Sequence, residues 1–321
     1  MMIYLSSKDL VDLVSPTALV GAIEEGLRDF AKQTTVIPLR EHVYWDENTL
    51  LTMPAFGPDT FGVKIVSVVP SNRTRNLPVI NGLMMLSDVQ TGAPIAVLDA
   101  AMLTAQRTGA LGAVGLKYTT PPDADSVGVI GVGVQGTWQA IFACAVRRIN
   151  TVYYIARSDK RAQQFVDALA RRVPHVKPSR CLDAYELLSK TQVIITATTS
   201  DEPVLPAERS LLENKHLVGI GSFKPSMKEL PYAVCHSSGQ VVVDSDAAKS
   251  EAGDLLEPLS LGLLREDDII HIADLVVGKH SVDLERTTVF KSVGMALYDL
   301  YVARGVVAEA RRSGRGTPLN T

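Results

Sequence analysis

Apolar and polar positions change rhythm along the chain. Leu19, Ile23, Leu27 and Phe30 recur at the spacing of one helical face, and Ser15-Pro16 ahead of them reads as an N-cap with proline at the first helical position. Between residues 50 and 100 the pattern becomes short apolar segments, LLTMPAF, FGVKIVSVVP, GLMMLSDV and APIAVLDA, with SDVQTGAP as a turn between the last two. This predicts a small, mostly antiparallel sheet. Up to Gly115 the residues are small and helix-compatible, AMLTAQRTGALGAVG, with one charge in the middle. TTPPDADS then supplies the best linker in the sequence.

Beyond the linker, strands and helices alternate. SVGVIG (126–131), TVYYIA (151–156), QVIITAT (192–198), HLVGIG (216–221) and QVVVDS (240–245) are separated by helical stretches such as DKRAQQFVDALARRV. That order predicts a parallel sheet with helices on both faces. Near the end, TTVFKSVGMALYDLYVARGVVAEARR reads as one long helix and SGRGTPLNT as a frayed tail.

Composition narrows the functional classes. The 321 residues carry 46% hydrophobic and 21% charged side chains with a net charge of -3, so no basic excess points to nucleic acid. The start, MMIYLSSKDLVDL, lacks a basic segment followed by a long apolar one, and no apolar run reaches the ~18 residues that span a bilayer. A soluble, cytoplasmic protein with no membrane partner is expected. Cys144, Cys181 and Cys235 form no C-x-x-C pair, and the histidines show no H-x-x-x-H or H-E-x-x-H spacing. No disulfide framework and no metal site are expected.

Gly131, Gly133 and Gly136 form G-x-G-x-x-G after one predicted strand and at the start of a helix that leads to the next. The first glycine makes the tight turn, the second lets backbone N–H groups approach a pyrophosphate, and the third lets helix and strand pack closely. Inside a βαβ unit this predicts a dinucleotide site. The following strand ends at Ala156 with no carboxylate for a ribose 2′-OH; Arg157, Ser158, Lys160 and Arg161 follow. Arg157 and Ser158 could grip a 2′-phosphate with Lys160 or Arg161 adding charge, which favours NADPH, while Asp159 keeps NADH possible.

Charges stranded in apolar segments are the second signal. Arg107 is the only charge between Asp99 and Lys117, and Lys64 interrupts FGVKIVSVV on one face with Val66 and Val68. Arg40, in VIPLREHVYW, is less isolated, with Glu41 beside it. Each could be an internal salt bridge or a surface side chain whose charged end reaches water. Three such cations in a domain without matching buried acids favour a carboxylate-bearing substrate.

GVKIVSVVP with Lys64, NGLMMLSD, LTAQRTGA with Arg107, GVGVQG, IGSFKPSMKELP and TVFKSVGMA together resemble the ornithine cyclodeaminase/mu-crystallin family, in order from about residue 36 to residue 300. The resemblance implies an α/β fold in which a doubly wound Rossmann sheet, residues 119–287, is inserted into an α+β substrate-binding and dimerisation domain, residues 1–118 with 288–321. It also implies a homodimer. Carried over, Arg40, Lys64 and Arg107 match substrate-carboxylate positions, with Lys64 catalytic; Arg107 with Thr108 also falls among the cofactor contacts. Val134, Gln135, Thr198 and Ser222 fall in nucleotide-contacting turns, as do Gly131, Gly133, Gly136, Ala156, Arg157, Ser158 and Arg161. Ser292, Val293 and Gly294 match the segment that closes over nicotinamide and substrate.

The family includes ornithine and lysine cyclodeaminases, alanine dehydrogenases, ketimine reductases and mu-crystallins. Where cyclodeaminases carry an aspartate after the HLVGIG strand, this chain has Ser222 or Phe223, which removes a general acid/base for cyclisation. GSF-P-SM-ELP resembles 1-pyrroline-2-carboxylate reductases instead. The expected activity is reduction of a cyclic imino acid, 1-pyrroline-2-carboxylate or its six-membered homologue 1-piperideine-2-carboxylate, to L-proline or L-pipecolate. Ornithine cyclodeaminase or alanine-type dehydrogenase activity, and a non-catalytic NADPH-dependent binding protein, are the alternatives.

Overall fold

The computed structural model describes residues 1–238 and 240–319. It separates into two compact units, Met1–Arg107 with Met295–Thr321, and Thr108–Gly294.

The first unit is built on a seven-stranded sheet in the order β15-β1-β6-β5-β4-β3-β2. Its strands are β1 (Met2–Leu5), β2 (Glu41–Trp45), β3 (Asn48–Phe56), β4 (Thr60–Val68), β5 (Ile80–Asp88), β6 (Pro94–Asp99) and β15 (Thr317–Leu319). Strands β2 to β6 form an antiparallel meander, to which β1 adds in parallel alongside β6. Helices α1 (Pro16–Ala31) and α5 (Ala296–Ser313) pack on each other, and α5 crosses β3, β4 and β5. The Ser15 hydroxyl accepts the Ala18 N–H at 3.2 Å, so the expected cap of α1 is present.

Strand alternation sorts the residues of this sheet. Met53, Ala55, Lys64, Val66, Met84 and Leu86 are buried on one face, and Ile65, Leu83 and Met85 are exposed on the other. Lys64 stands in register between Met53 and Met84, so a charged residue is set among apolar cross-strand neighbours.

The second unit holds an eight-stranded sheet in which every pairing is parallel, in the order β13-β12-β14-β11-β10-β7-β8-β9. The strands are β7 (Ser126–Ile130), β8 (Thr151–Ile155), β9 (Lys177–Arg180), β10 (Val193–Thr196), β11 (His216–Gly219), β12 (Val241–Val243), β13 (Ile269–His271) and β14 (Thr288–Lys291). β10 and β11 are buried at every position, as strands covered on both faces require. Chain order runs outward from β7 through β8 to β9 in one direction and from β10 to β11 in the other, where β14 is inserted ahead of β12 and β13; this is a doubly wound sheet with its switch point between β7 and β10. Helix α3 (Val134–Val146) follows β7 and α4 (Asp159–Arg172) follows β8. Among the described residues no helix is long and apolar enough to cross a membrane.

Helix α2 (Ala100–Thr119) runs through one join, with Arg107 the last residue of the first unit and Thr108 the first of the second. The linker and the family resemblance set the joins near residues 118 and 288; the compact units meet in the chain inside α2 and at Gly294–Met295.

Two C-terminal expectations fail. TTVFK is not helical: Thr288–Lys291 form β14, a wholly buried strand between β11 and β12, and the helix starts only at Ala296. A short β-branched and aromatic run continuing into a helical pattern carries no period of its own, and Gly294, at φ 82°, breaks the chain direction between the two elements. The tail is also not wholly frayed, because Thr317–Leu319 pair antiparallel with β1.

Candidate active site

In the first unit, Lys64 and Arg107 meet one carboxylate. Lys64 Nζ lies 2.7 Å from Asp299 Oδ2, and Arg107 Nε donates to Asp299 Oδ1 at 3.1 Å. All three side chains are buried. Three different elements bring them together: β4 supplies Lys64 on its covered face, α2 supplies Arg107, and α5 supplies Asp299 where it crosses β4.

Asp299 corrects the expectation that these cations lack a buried acid. It does not cancel them, since two cations share one carboxylate and each occupies one of its oxygens. Arg107 uses only Nε in this pair, which leaves both terminal nitrogens outside it. The Lys64 ammonium is brought down to about 8: burial lowers it most, Asp299 pulls it up, and Arg107 and then Arg40 push it down. Arg40 is therefore electrostatically linked to Lys64, from a half-buried position just ahead of β2.

Asp299 was missed because the helical pattern around YDLYVAR does not say which strands α5 covers. The available signal was the one used for Lys64, an acid amid apolar and aromatic neighbours.

In the second unit the glycine turn has the geometry of a phosphate cradle. Gly131 lies at φ 96°, and a Cβ there would sit 2.6 Å from the Ala197 carbonyl oxygen. A Cβ on Gly136 would come within 1.9 Å of the Gly131 oxygen, so α3 approaches β7 as closely as backbone allows. Gly133 is the N-cap of α3 and supplies no side-chain cap, which leaves backbone N–H groups at the helix start for an anion. Val134 is exposed there. Gln135 has a buried Oε1 without a hydrogen-bond partner among the described residues. The turn therefore fits the pyrophosphate of a dinucleotide. Thr108 is buried, and its carbonyl accepts from Gln139 on α3 at 2.8 Å.

The residues after β8 separate into two roles. Ser158 caps α4, its hydroxyl accepting the Arg161 N–H at 3.4 Å. Arg157 and Arg161 are exposed beyond half-buried Ala156. Arg180, at the end of β9, was not read from the sequence. Its guanidinium donates to the Ala156 carbonyl at 3.1 Å and to Asp159 at 2.6 Å. That places a further cation at the end of β8 and partly masks the one acid nearby.

The other predicted contacts lie at strand C-terminal ends, but their polar groups point inward. Thr198 N–H donates to Glu229 at 2.5 Å, Ser222 N–H to Glu229 at 3.2 Å, and the Ser222 hydroxyl to the Met227 carbonyl at 2.6 Å. After β14, Asp244 gathers the Ser292 hydroxyl at 2.8 Å, the Val293 N–H at 3.1 Å and the Gly294 N–H at 2.7 Å. Asp244 and Glu229 were both missed, because each acts on backbone remote in sequence.

A parallel sheet wound both ways from a glycine turn, with an uncapped helix start at its switch point, defines an α/β dinucleotide-binding fold, and its family and relatives make the protein an NAD(P)H-linked oxidoreductase acting on C=N. The chain belongs to the ornithine cyclodeaminase/mu-crystallin family, whose model matches residues 2–314. A Delta(1)-pyrroline-2-carboxylate reductase of Bacillus thuringiensis subsp. konkukian (strain 97-27) is 35% identical over 329 residues, covering 99% of each chain. Thermococcus litoralis Delta(1)-pyrroline-2-carboxylate reductase, solved in complex with NADH and L-proline, superposes with a TM-score of 0.92 at 30% identity, covering 99% of this chain and 100% of that one. An archaeal alanine dehydrogenase dimer with bound NAD superposes with a TM-score of 0.91 at 29% identity, covering 99% of each chain.

Proposed function

We propose that the protein reduces the C=N bond of 1-pyrroline-2-carboxylate to give L-proline, and that of 1-piperideine-2-carboxylate to give L-pipecolate, using NADPH in preference to NADH. The observation that carries this reading is the buried arrangement of Lys64 and Arg107 on Asp299, in which positive charge exceeds negative and one ammonium has its proton loosened to about 8. The named activities of the Bacillus and Thermococcus relatives support it.

The turn around Gly131 to Gly136 and the start of α3 would hold the dinucleotide, which supplies a hydride when bound. The rest falls to the first unit. Arg107, through its terminal nitrogens, and Arg40 hold the substrate carboxylate and so fix which face of the imine carbon is presented. Asp299 fixes Lys64 Nζ, and the protonated lysine gives its proton to the ring nitrogen as the carbon gains the hydride. Hydride and proton together convert C=N to CH–NH, and Lys64 is reprotonated from solvent. A lysine at its ordinary value would release that proton reluctantly; burial makes the transfer easier.

Arg157, Arg161 and Lys160 support the NADPH preference, and Arg180 adds to them. Asp159, the one acid there for the ribose 2′-OH of NADH, is paired with Arg180, which adds to the preference for NADPH. A homodimer is proposed on the exposed apolar face of the first sheet, where Ile65, Leu83, Met85 and Leu50 lie opposite the helices. A cytoplasmic location fits the dinucleotide pool that the reaction draws on.

The test is loss of reduced-nicotinamide absorbance with 1-pyrroline-2-carboxylate, run beside L-ornithine with NAD+. The expected result is L-proline formation with a higher kcat/KM for NADPH than for NADH, and no ammonia from ornithine. Tight dinucleotide binding without turnover of either ring would contradict the proposal and favour a binding protein.

A further inference from the structure

GSFKPSMKELP contains an acid that the reaction above does not use. Glu229 is fully buried, and four donors converge on its carboxylate. Oε1 accepts the Thr198 N–H at 2.5 Å; Oε2 accepts the Thr196 hydroxyl at 3.0 Å, the Gly221 N–H at 2.7 Å and the Ser222 N–H at 3.2 Å. These donors come from the C-terminal end of β10 and from the turns after β10 and β11. The turns are in direct contact, since a Cβ on Gly221 would lie 2.1 Å from the Thr198 carbonyl oxygen and 2.5 Å from Glu229 Oε1.

Glu229 is itself fixed. Asp254 Oδ1 accepts the N–H groups of Glu229 and Leu230 at 2.7 and 3.0 Å, and Asp254 Oδ2 lies 3.1 Å from Lys291 Nζ at the end of β14. Asp254 and Lys291 are both buried. Two carboxylates and one ammonium thus link the ends of β10, β11 and β14. Burial raises the Glu229 carboxyl above its ordinary value, and Lys291 and the Thr198 donors act against that rise. Both oxygens of Glu229 accept here, and an amide of the same shape turns one end into a donor.

We infer that Glu229 is a positioning residue for the dinucleotide: it sets the backbone of the turns carrying Thr198 and Ser222, with Asp254 and Lys291 holding it in place. This rests on the proposed reading that those turns face the dinucleotide. Glu229→Gln changes almost no volume but sets a donor against a backbone N–H, so at least one turn is released. Thr196→Val removes a single donor and leaves the rest.

The experiment measures the dissociation constant of reduced dinucleotide by its fluorescence, on the full chain without substrate, for wild type, E229Q, T196V and G133D. Thermal melts and the KM for the imino acid at saturating dinucleotide accompany it. A Cβ at Gly133 meets nothing within 4 Å, so aspartate fits there and places negative charge at the start of α3. The expected result is a dissociation constant raised at least about tenfold in E229Q and roughly threefold in T196V, with the imino-acid KM unchanged and binding abolished in G133D. Wild-type affinity in E229Q and T196V beside lost binding in G133D would overturn the inference and leave the proposed function standing. Wild-type affinity in all three would overturn the placement of the dinucleotide itself. If E229Q does not fold, T196V decides: an unchanged dissociation constant overturns the inference.

Discussion

Burial, one carboxylate and two guanidinium groups compete for the proton on Lys64. Burial and the arginines disfavour the charged form and Asp299 favours it, with a net result of about 8 against an ordinary 10.5. A proton donor at that value is charged at neutral pH and depleted above it, so activity that needs the lysine proton declines as pH rises through about 8. The fold does not decline with it through this group. Between about 8 and 10.5 the unfolded chain keeps a proton that the folded chain has released, so this group's contribution to stability rises with pH across that window. Lys64 and Arg107 were legible in the sequence because a charge inside an apolar run demands a partner. Asp299 was not, although it carries the same kind of signal, because its partners lie 235 and 192 residues away. Sequence patterns report which face is buried and leave open what that face meets.

At the scale of elements, the unit from β7 through its glycine turn into α3 was the most legible part of the chain, because each glycine answers a separate steric demand. Gly136 makes the sharpest prediction. An alanine Cβ there would sit 1.9 Å from a backbone oxygen, so β7 and α3 must move apart. Gly136→Ala should weaken dinucleotide binding by about tenfold or more, read by fluorescence titration, with the imino-acid site of the first unit left in place. β14 was illegible for the opposite reason. TVFK is too short to show a period, and only its neighbours β11 and β12 make it a strand. The strand at Thr317–Leu319 likewise exists only because β1 offers an edge to pair with.

At the scale of the molecule, the first unit has an asymmetric sheet. One face is covered by α5, with α1 packed against it, and carries the charged cluster; the other exposes Ile65, Leu83 and Met85. A second copy of this chain on that face would bury them. On the proposed homodimer, Ile65→Asp should shift the mass in light scattering from dimer toward monomer, because a carboxylate at a dimer core is left without a partner. An unchanged molecular mass would rule out that face. The inserted arrangement of the domains was legible only through family resemblance, since no local pattern says that Met295–Thr321 rejoins the first unit.

Proposed delivery of the Lys64 proton, under the opposed control of Asp299 and the arginines, is read in the pH dependence of kcat/KM for the imino acid. The measurement compares wild type, Asp299→Asn and Arg40→Gln, so that ionisation of the substrate is common to all three. A decline above about 8 is expected in wild type, displaced to lower pH in D299N, which loses the group that holds the proton, and to higher pH in R40Q, which loses one that repels it. A declining limb that stays at one pH in all three proteins, or moves the same way in both variants, would contradict it.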